Sequence, residues 1–159
     1  MRMTAPSRLI GLISDTHGLL RPAALDALRG SEAIIHAGDV GGGEILPALG
    51  AVAPVVAVRG NIDESPPACL LPERTTLQVG AVAIHVLHDL ATLTLDPAAA
   101  GIRVVVSGHS HHPGLQERDG VLFVNPGSAG RRRFSLPVTL GRLHVSGTHV
   151  EAELIALEA

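Results

Sequence analysis

Apolar and polar positions fall in blocks along this chain, and the blocks carry two periods. Residues 9–14 form a near-continuous apolar run, the pattern of a β-strand buried on both faces. Residues 33–36 and 55–58 repeat it in shorter form. Between these runs, residues 22–29 carry Leu25 and Leu28 at helical spacing. Pro22 near the start and Gly30 after the end complete the signal for a helix. Residues 44–49, closed by Gly50, predict a second short helix. The chain up to Arg59 therefore reads β-α-β-α-β.

The second half is rich in strand signals. Residues 75–79 and 81–87 read as a hairpin around Gly80, and residues 102–107 as a buried valine-rich strand. Residues 114–118 and 121–124 flank Asp119-Gly120, a strong hairpin turn signal. Residues 138–143 and 149–155 form a terminal pair that turns near Gly147. The expectation is one α/β domain over residues 1–159. It consists of two mixed β-sheets packed face to face with helices outside, a four-layer α-β-β-α sandwich.

Composition narrows the chemistry. Hydrophobic residues make up 46% and charged residues 17% of 159, enough apolar surface for a folded core. All 12 basic residues are Arg, so no lysine is available for Schiff-base chemistry or a P-loop. There is no Tyr and no Trp, and the only Phe residues are Phe123 and Phe134, which leaves little for base stacking. A formal charge of −3 argues against nucleic acid as the main partner. Cys69 is alone, which excludes a disulfide within the chain and a cysteine-based zinc site, and fits a cytoplasmic location. The apolar run ending at Asp15 is too short for a signal-peptide core or a membrane span. What remains is His, Asp, Asn, Arg and hydroxyl chemistry, and nine His are present.

Those residues cluster directly after predicted strands, five times over. The clusters are Ser14-Asp15-Thr16-His17-Gly18, Gly38-Asp39-Val40, Gly60-Asn61-Ile62-Asp63, His88-Asp89 and Gly108-His109-Ser110-His111-His112. In an open α/β sheet this edge is where sites form. The residue types are those of a mixed nitrogen and oxygen metal site. In Asp15-x-His17 and His109-x-His111 the ligands stand two apart, so an extended backbone would aim both at one centre.

In this order, Asp15-x-His17, Gly38-Asp39, Gly60-Asn61-x-Asp63, His88 and Gly108-His109-x-His111 resemble the signature of the calcineurin-like metallophosphoesterases. The likeness is greatest to their small bacterial and archaeal phosphodiesterase branch, which shares Asn125-Pro126-Gly127-Ser128. The resemblance implies two divalent transition metal ions, Mn2+ or Ni2+ first and Zn2+ or Fe2+ as alternatives. Asp15, His17 and His111 would hold one ion, Asn61, His88 and His109 the other, and Asp39 would bridge them. It further implies hydrolysis of a small phosphate ester by a metal-bridging hydroxide, with Asp39, Asn61 and His88 as catalytic residues.

The pattern departs from the family at two points. Many members place a His after the Asn, where it aids the leaving group; here that residue is Ile62. A substrate with a good leaving group is therefore expected. His88 is followed by Asp89 where Gly is expected, and Asp89 reads either as an imidazole partner or as a loop acid. His85 is a rival to His88, and His36 reads as a core histidine. His112 and Arg59 are the candidate substrate-binding residues. Arg59 could instead pair with Asp63, which is expected to fix its loop by bonding backbone amides. Arg131-Arg132-Arg133 reads as a solvated run or as an attractor of an anionic substrate.

Two other functions compete with the phosphodiesterase. One is a scaffold like the retromer subunit that also resembles this branch; the other is a phosphomonoesterase. The complete ligand set favours an enzyme. The expected partner is a small phosphate ester rather than a membrane or nucleic acid. Exposed strand edges would allow a homodimer, which nothing in the sequence requires.

Overall fold

The computed structural model describes residues 7–133 and 135–157. Phe134, one of the two phenylalanines, lies outside the described residues, as do both ends of the expected 1–159 domain. The first sheet contains β1 (Arg8–Ile13), β2 (Ala33–His36), β3 (Val55–Ala57), β9 (Thr139–Ser146) and β10 (His149–Ala156). Its spatial order is β10-β9-β1-β2-β3, with β1, β2 and β3 parallel and β9 antiparallel to β1. The second sheet contains β4 (Arg74–Val79), β5 (Val82–Leu87), β6 (Val104–Val106), β7 (Gly114–Arg118) and β8 (Val121–Asn125). Its order is β4-β5-β6-β8-β7, with β5, β6 and β8 parallel and a hairpin at each edge.

The continuous apolar runs are explained by what each face meets. From β1, Ile10 and Leu12 point between the sheets, where they join Val82, Ile84, Val86, Val104, Val106 and Val124. Ile13 points the other way and packs with Ile34 and Leu140 against the helices. These are α1 (Pro22–Leu28) and α2 (Ile45–Gly50), which contribute Ala24, Leu28, Ile45 and Leu49. Each buried side chain of this size stabilises by roughly 1.5–3 kcal/mol, so a polar residue on either face of β1 would be costly.

The two-sheet sandwich read from the sequence is the one observed. The layer outside the second sheet differs in kind. There Leu87, Val105 and Val121 are covered by Leu90, Leu93 and Leu95 from the segment between β5 and β6. That segment contains a single 3-10 turn, Leu90–Thr92, rather than an α-helix. Its run 94–101 holds Asp96-Pro97 and Gly101, which interrupt helical continuation.

Register places the site. Ile13 pairs with His36 and His36 with Ala57, so β1, β2 and β3 end side by side. Val86 pairs with Val106 and Val106 with Val124, so β5, β6 and β8 do the same in the other sheet. The loops that follow all five motif-bearing strands therefore meet along one rim.

Candidate metal centre

Asp15 is fully buried at the centre of that rim. Its Oδ2 accepts hydrogen bonds from Ser14 Oγ at 2.6 Å and from the His109 amide at 3.1 Å. Its Oδ1 has no hydrogen-bond partner. Instead it faces His111 Nε2 at 3.4 Å, His17 Nε2 at 3.7 Å and His88 Nε2 at 3.9 Å. Asp39 Oδ2 lies 3.5 Å from His17 Nε2 and 3.3 Å from His88 Nε2. Asn61 Oδ1 lies 3.0 Å from His88 Nε2 and 3.2 Å from His109 Nδ1. All seven side chains expected as ligands thus converge in two overlapping groups. Asp15, His17 and His111 form one, and Asp15, Asp39 and His88 form another that Asn61 and His109 extend.

The donor set fits divalent cations. A buried carboxylate oxygen without a donor is costly, and so is an unpartnered buried imidazole nitrogen such as His17 Nε2. A cation between them satisfies both. His88 is also oriented in the way ligating histidines are. Its Nδ1–H donates to the Ala37 carbonyl at 2.8 Å, which turns Nε2 toward Asp39 and Asn61.

The charges respond to this crowding. Burial disfavours the Asp39 carboxylate, but hydrogen bonds from His88 and the Ile62 amide, with the fields of His88 and His17, overcome it and hold its pKa below the usual range. Burial likewise disfavours a charged His88. The bond to Asp39, the Ala37 carbonyl and the charges of Asp15 and Asp39 reverse that and raise its pKa. His111 moves the other way, because burial dominates over Asp15 and the charge of Arg133 adds to it.

The extended backbone expected for Asp15-x-His17 and His109-x-His111 does not form. Asp15, His17, Asp39, His109 and His111 all adopt left-handed conformations, with φ of 53°, 45°, 58°, 73° and 63°. The pairs reach a common centre through tight turns rather than through the alternation of a strand. The turns are held by the neighbouring loop: the Asp15 and His17 amides donate to the carbonyls of Gly38 and Asp39 at 3.0 Å. Left-handed non-glycine residues are uncommon and concentrate at functional sites.

Two glycines make this packing feasible. A Cβ on Gly60 would fall on the Asp39 carboxylate, and one on Gly108 on Ser14 Oγ and Asp15 Oδ2. Asp63, nearly buried, accepts from the amides of Val40, Gly41 and Gly60, as its expected loop-fixing role requires. Asn125 donates to the Gly108 carbonyl and to Ser110 Oγ, and Ser128 Oγ donates to the Asp15 carbonyl. The Asn-Pro-Gly-Ser segment therefore braces both ligand loops.

The remaining candidates stand elsewhere. Arg59 does not pair with Asp63. It donates to Glu73 Oε1 at 2.8 Å and to the Cys69 carbonyl at 3.1 Å, on the wall of the adjoining cleft. His112 is exposed while His111 is buried, so the two face apart. His85 bonds Thr76 Oγ1 at 2.9 Å across the β4–β5 ladder and does not reach the centre. Asp89 acts as a loop acid: Oδ1 caps the Ala91 amide at 3.0 Å, while Oδ2, 4.0 Å from His109 Nε2, is too far for a hydrogen bond. Ser14 was given no role from the sequence, where its only signal was adjacency to Asp15. His36, weighed both as support for Gly38-Asp39 and as a core histidine, is buried and also accepts the Gly38 amide at 3.1 Å.

Comparison with known proteins agrees with this geometry. Residues 9–148 match the family model described as the calcineurin-like phosphoesterase superfamily domain. The chain belongs to that superfamily. A probable metallophosphoesterase of Methanothermobacter thermautotrophicus is 34% identical over 92% of this chain and 91% of its own length. One from Methanocaldococcus jannaschii is 36% identical, covering 94% and 82%. Among solved structures, Vacuolar Protein Sorting 29 of Cryptosporidium parvum superposes with a TM-score of 0.82 at 22% identity, over 96% of this chain and 92% of that one. A structure described as a novel archaeal phosphodiesterase gives 0.76 at 23% identity, over 92% and 99%. Calcineurin-like phosphoesterase membership agrees with the carboxylate and imidazole clusters seen here. Among the described residues no helix is long and apolar enough to cross a membrane.

Proposed function

We propose that this calcineurin-like phosphoesterase is a metal-dependent phosphodiesterase that acts on a small phosphate ester at a two-metal centre. The observation that carries the reading is the placement of Asp39 Oδ2 between His17 at 3.5 Å and His88 at 3.3 Å. Asp39 reaches imidazoles of both groups, as Asp15 Oδ1 also does, and a carboxylate so shared fits a bridge between two ions. Seven converging donor side chains also exceed the four that a structural site usually gathers about one ion. Bound divalent ions would supply an activated water for in-line attack at phosphorus and offset the charge on the phosphoryl oxygens.

The chain's own residues do the positioning. Ser14 and the His109 amide occupy Asp15 Oδ2 and leave Oδ1 directed inward. Ala37 fixes the His88 ring, and the Ile62 amide holds Asp39 Oδ1 at 3.0 Å. Asn61 adds a neutral oxygen, so the centre binds cations without the repulsion a third carboxylate would add. Arg59 lines the adjoining cleft, and the proposed location is the cytoplasm.

The test is to strip the protein of metal and restore Mn2+, Ni2+, Zn2+ or Mg2+ separately. Each form is assayed on bis- and mono-nitrophenyl phosphate. Diester turnover restored by Mn2+ or Ni2+ and abolished in Asp39→Ala supports the proposal. No turnover with any metal, or turnover that survives Asp39→Ala, sinks it. A binding scaffold is the second reading, favoured by the likeness of fold to Vacuolar Protein Sorting 29. Metal uptake with no ester turnover is the result that selects it, and faster turnover of the monoester selects a phosphatase.

A further inference from the structure

A cleft of about 630 Å3 opens from the Asn61, His88 and His109 side of the centre. Its far walls come from the β3–β4 connection, with Arg59 and Glu64, and from Arg74 and Thr92. What these groups already bind decides what the cleft can accept. Arg59 is paired with Glu73 and the Cys69 carbonyl, and Arg74 donates to the Thr92 carbonyl at 3.2 Å. Asp63, at the cleft base, is consumed by three backbone amides. Asp63, Glu64, Glu73 and Asp89 set four carboxylates against the two arginines of the lining, a balance that disfavours a second phosphate, and no Phe, Tyr or Trp among the described residues lines the cleft to stack a base. The lining still offers both polarities, with the guanidinium N–H groups of Arg59 and Arg74 as donors and the Glu64 carboxylate as an acceptor. A hydroxyl donates and accepts at once and so matches such a lining.

A second cleft of about 390 Å3 shares His109 and Asp89 with the first but is lined by Leu90, Leu115 and Phe123. The contrast gives the two sides of the centre different preferences.

Resting on the phosphodiesterase reading, we propose that the larger cleft is the specificity subsite of this centre. It takes a neutral, hydroxyl-bearing ester arm, such as a glyceryl or sugar group. Arg59 and Glu64 select it by hydrogen bonding. The test reads affinity rather than turnover. Isothermal titration of the metal-loaded protein compares methyl glyceryl phosphate with methyl propyl phosphate, which differ only in hydroxyls. The glyceryl diester is expected to bind at least about fivefold tighter, the scale of one net hydrogen bond. That preference falls below about twofold in Arg59→Met and in Glu64→Met, each checked for native circular dichroism; Glu64 is exposed, so its replacement leaves the fold in place. Equal affinities, tighter binding of the propyl diester, or a preference unchanged in both variants overturns the inference. Lack of turnover with every metal would instead sink the phosphodiesterase reading and leave this comparison intact.

Discussion

His88 Nε2 faces Asn61 Oδ1 across 3.0 Å, and its other ring nitrogen is committed to the Ala37 carbonyl at 2.8 Å. With no cation the raised pKa of His88 favours an Nε2–H that donates to these oxygens; a bound cation would replace that proton and take the Nε2 lone pair of the neutral ring. His111 clusters with Asp15 and His17, whereas His88 clusters with Asp15 and Asp39. On the proposed reading the two histidines would serve different ions. Elemental analysis of the Mn2+-loaded protein is expected to give about two ions per chain. His88→Ala and His111→Ala should each retain about one, and Asp39→Ala should weaken both. Retention of two ions in His88→Ala would remove this side chain from the centre.

Gly108 tests the geometry without touching a ligand. A side chain there has nowhere to go, because Ser14 Oγ and Asp15 Oδ2 already occupy the space. Gly108→Ala must push the Asp15 carboxylate aside by a sizeable fraction of an ångström. A displacement of this order can cost about a hundredfold in rate. Diester kcat/KM is expected to fall by about that factor, with the fold retained by circular dichroism. Full activity in Gly108→Ala would show that Asp15 need not hold its observed position.

Much of this was legible in the sequence, and the exceptions have physical causes. The strands could be read because both faces of β1, β5 and β6 are buried, which leaves continuous apolar runs. The convergence of the candidate ligands could be read because each follows a strand, and parallel register aligns strand ends. The backbone at the ligands could not be read. Left-handed geometry at Asp15 and His17 is held by amides bonding to the Gly38-Asp39 loop, distant in sequence, not by local propensity. Arg59 was open to Asp63 from spacing alone. The β3–β4 connection instead folds back to offer Glu73 and the Cys69 carbonyl, while Asp63 is taken up by amides.

Ile62 is 41% exposed at the rim, with its amide bonded to Asp39. Its side chain cannot deliver a proton, so on the proposed reading this position would give a poor leaving group no assistance. Ile62→His keeps the amide contact and places an imidazole at the same rim position. Turnover of methyl diesters is expected to rise by about tenfold or more, below the full range for a well-placed general acid. Nitrophenyl diesters, whose leaving group needs no proton, should change by less than about threefold. Competition between the two substrates measures this ratio directly. A ratio that stays constant would mean that leaving-group protonation is not the missing element.

His36 gives the protein an acid-sensitive stability. It is fully buried, accepts the Gly38 amide on Nδ1 at 3.1 Å and meets Thr16 Oγ1 through Nε2 at 3.0 Å. Thr16 passes its own proton to the Val40 carbonyl at 2.8 Å, so a neutral ring with its proton on Nε2 completes the chain. Burial is the main cause that lowers its pKa from 6.5 to about 4, and it outweighs the nearby carboxylates. In the unfolded chain His36 takes up a proton near its usual pKa, whereas the folded protein resists until about pH 4. The unfolded state therefore binds more protons in that window, and stability falls as pH falls through it. The loss reaches about 3 kcal/mol by the lower end. Urea unfolding of metal-free protein at pH 7 and pH 5 should show part of this loss. His36→Asn is expected to be less stable at pH 7 and to lose less on acidification than the wild type. Equal pH slopes in the two proteins would assign the acid sensitivity to other groups.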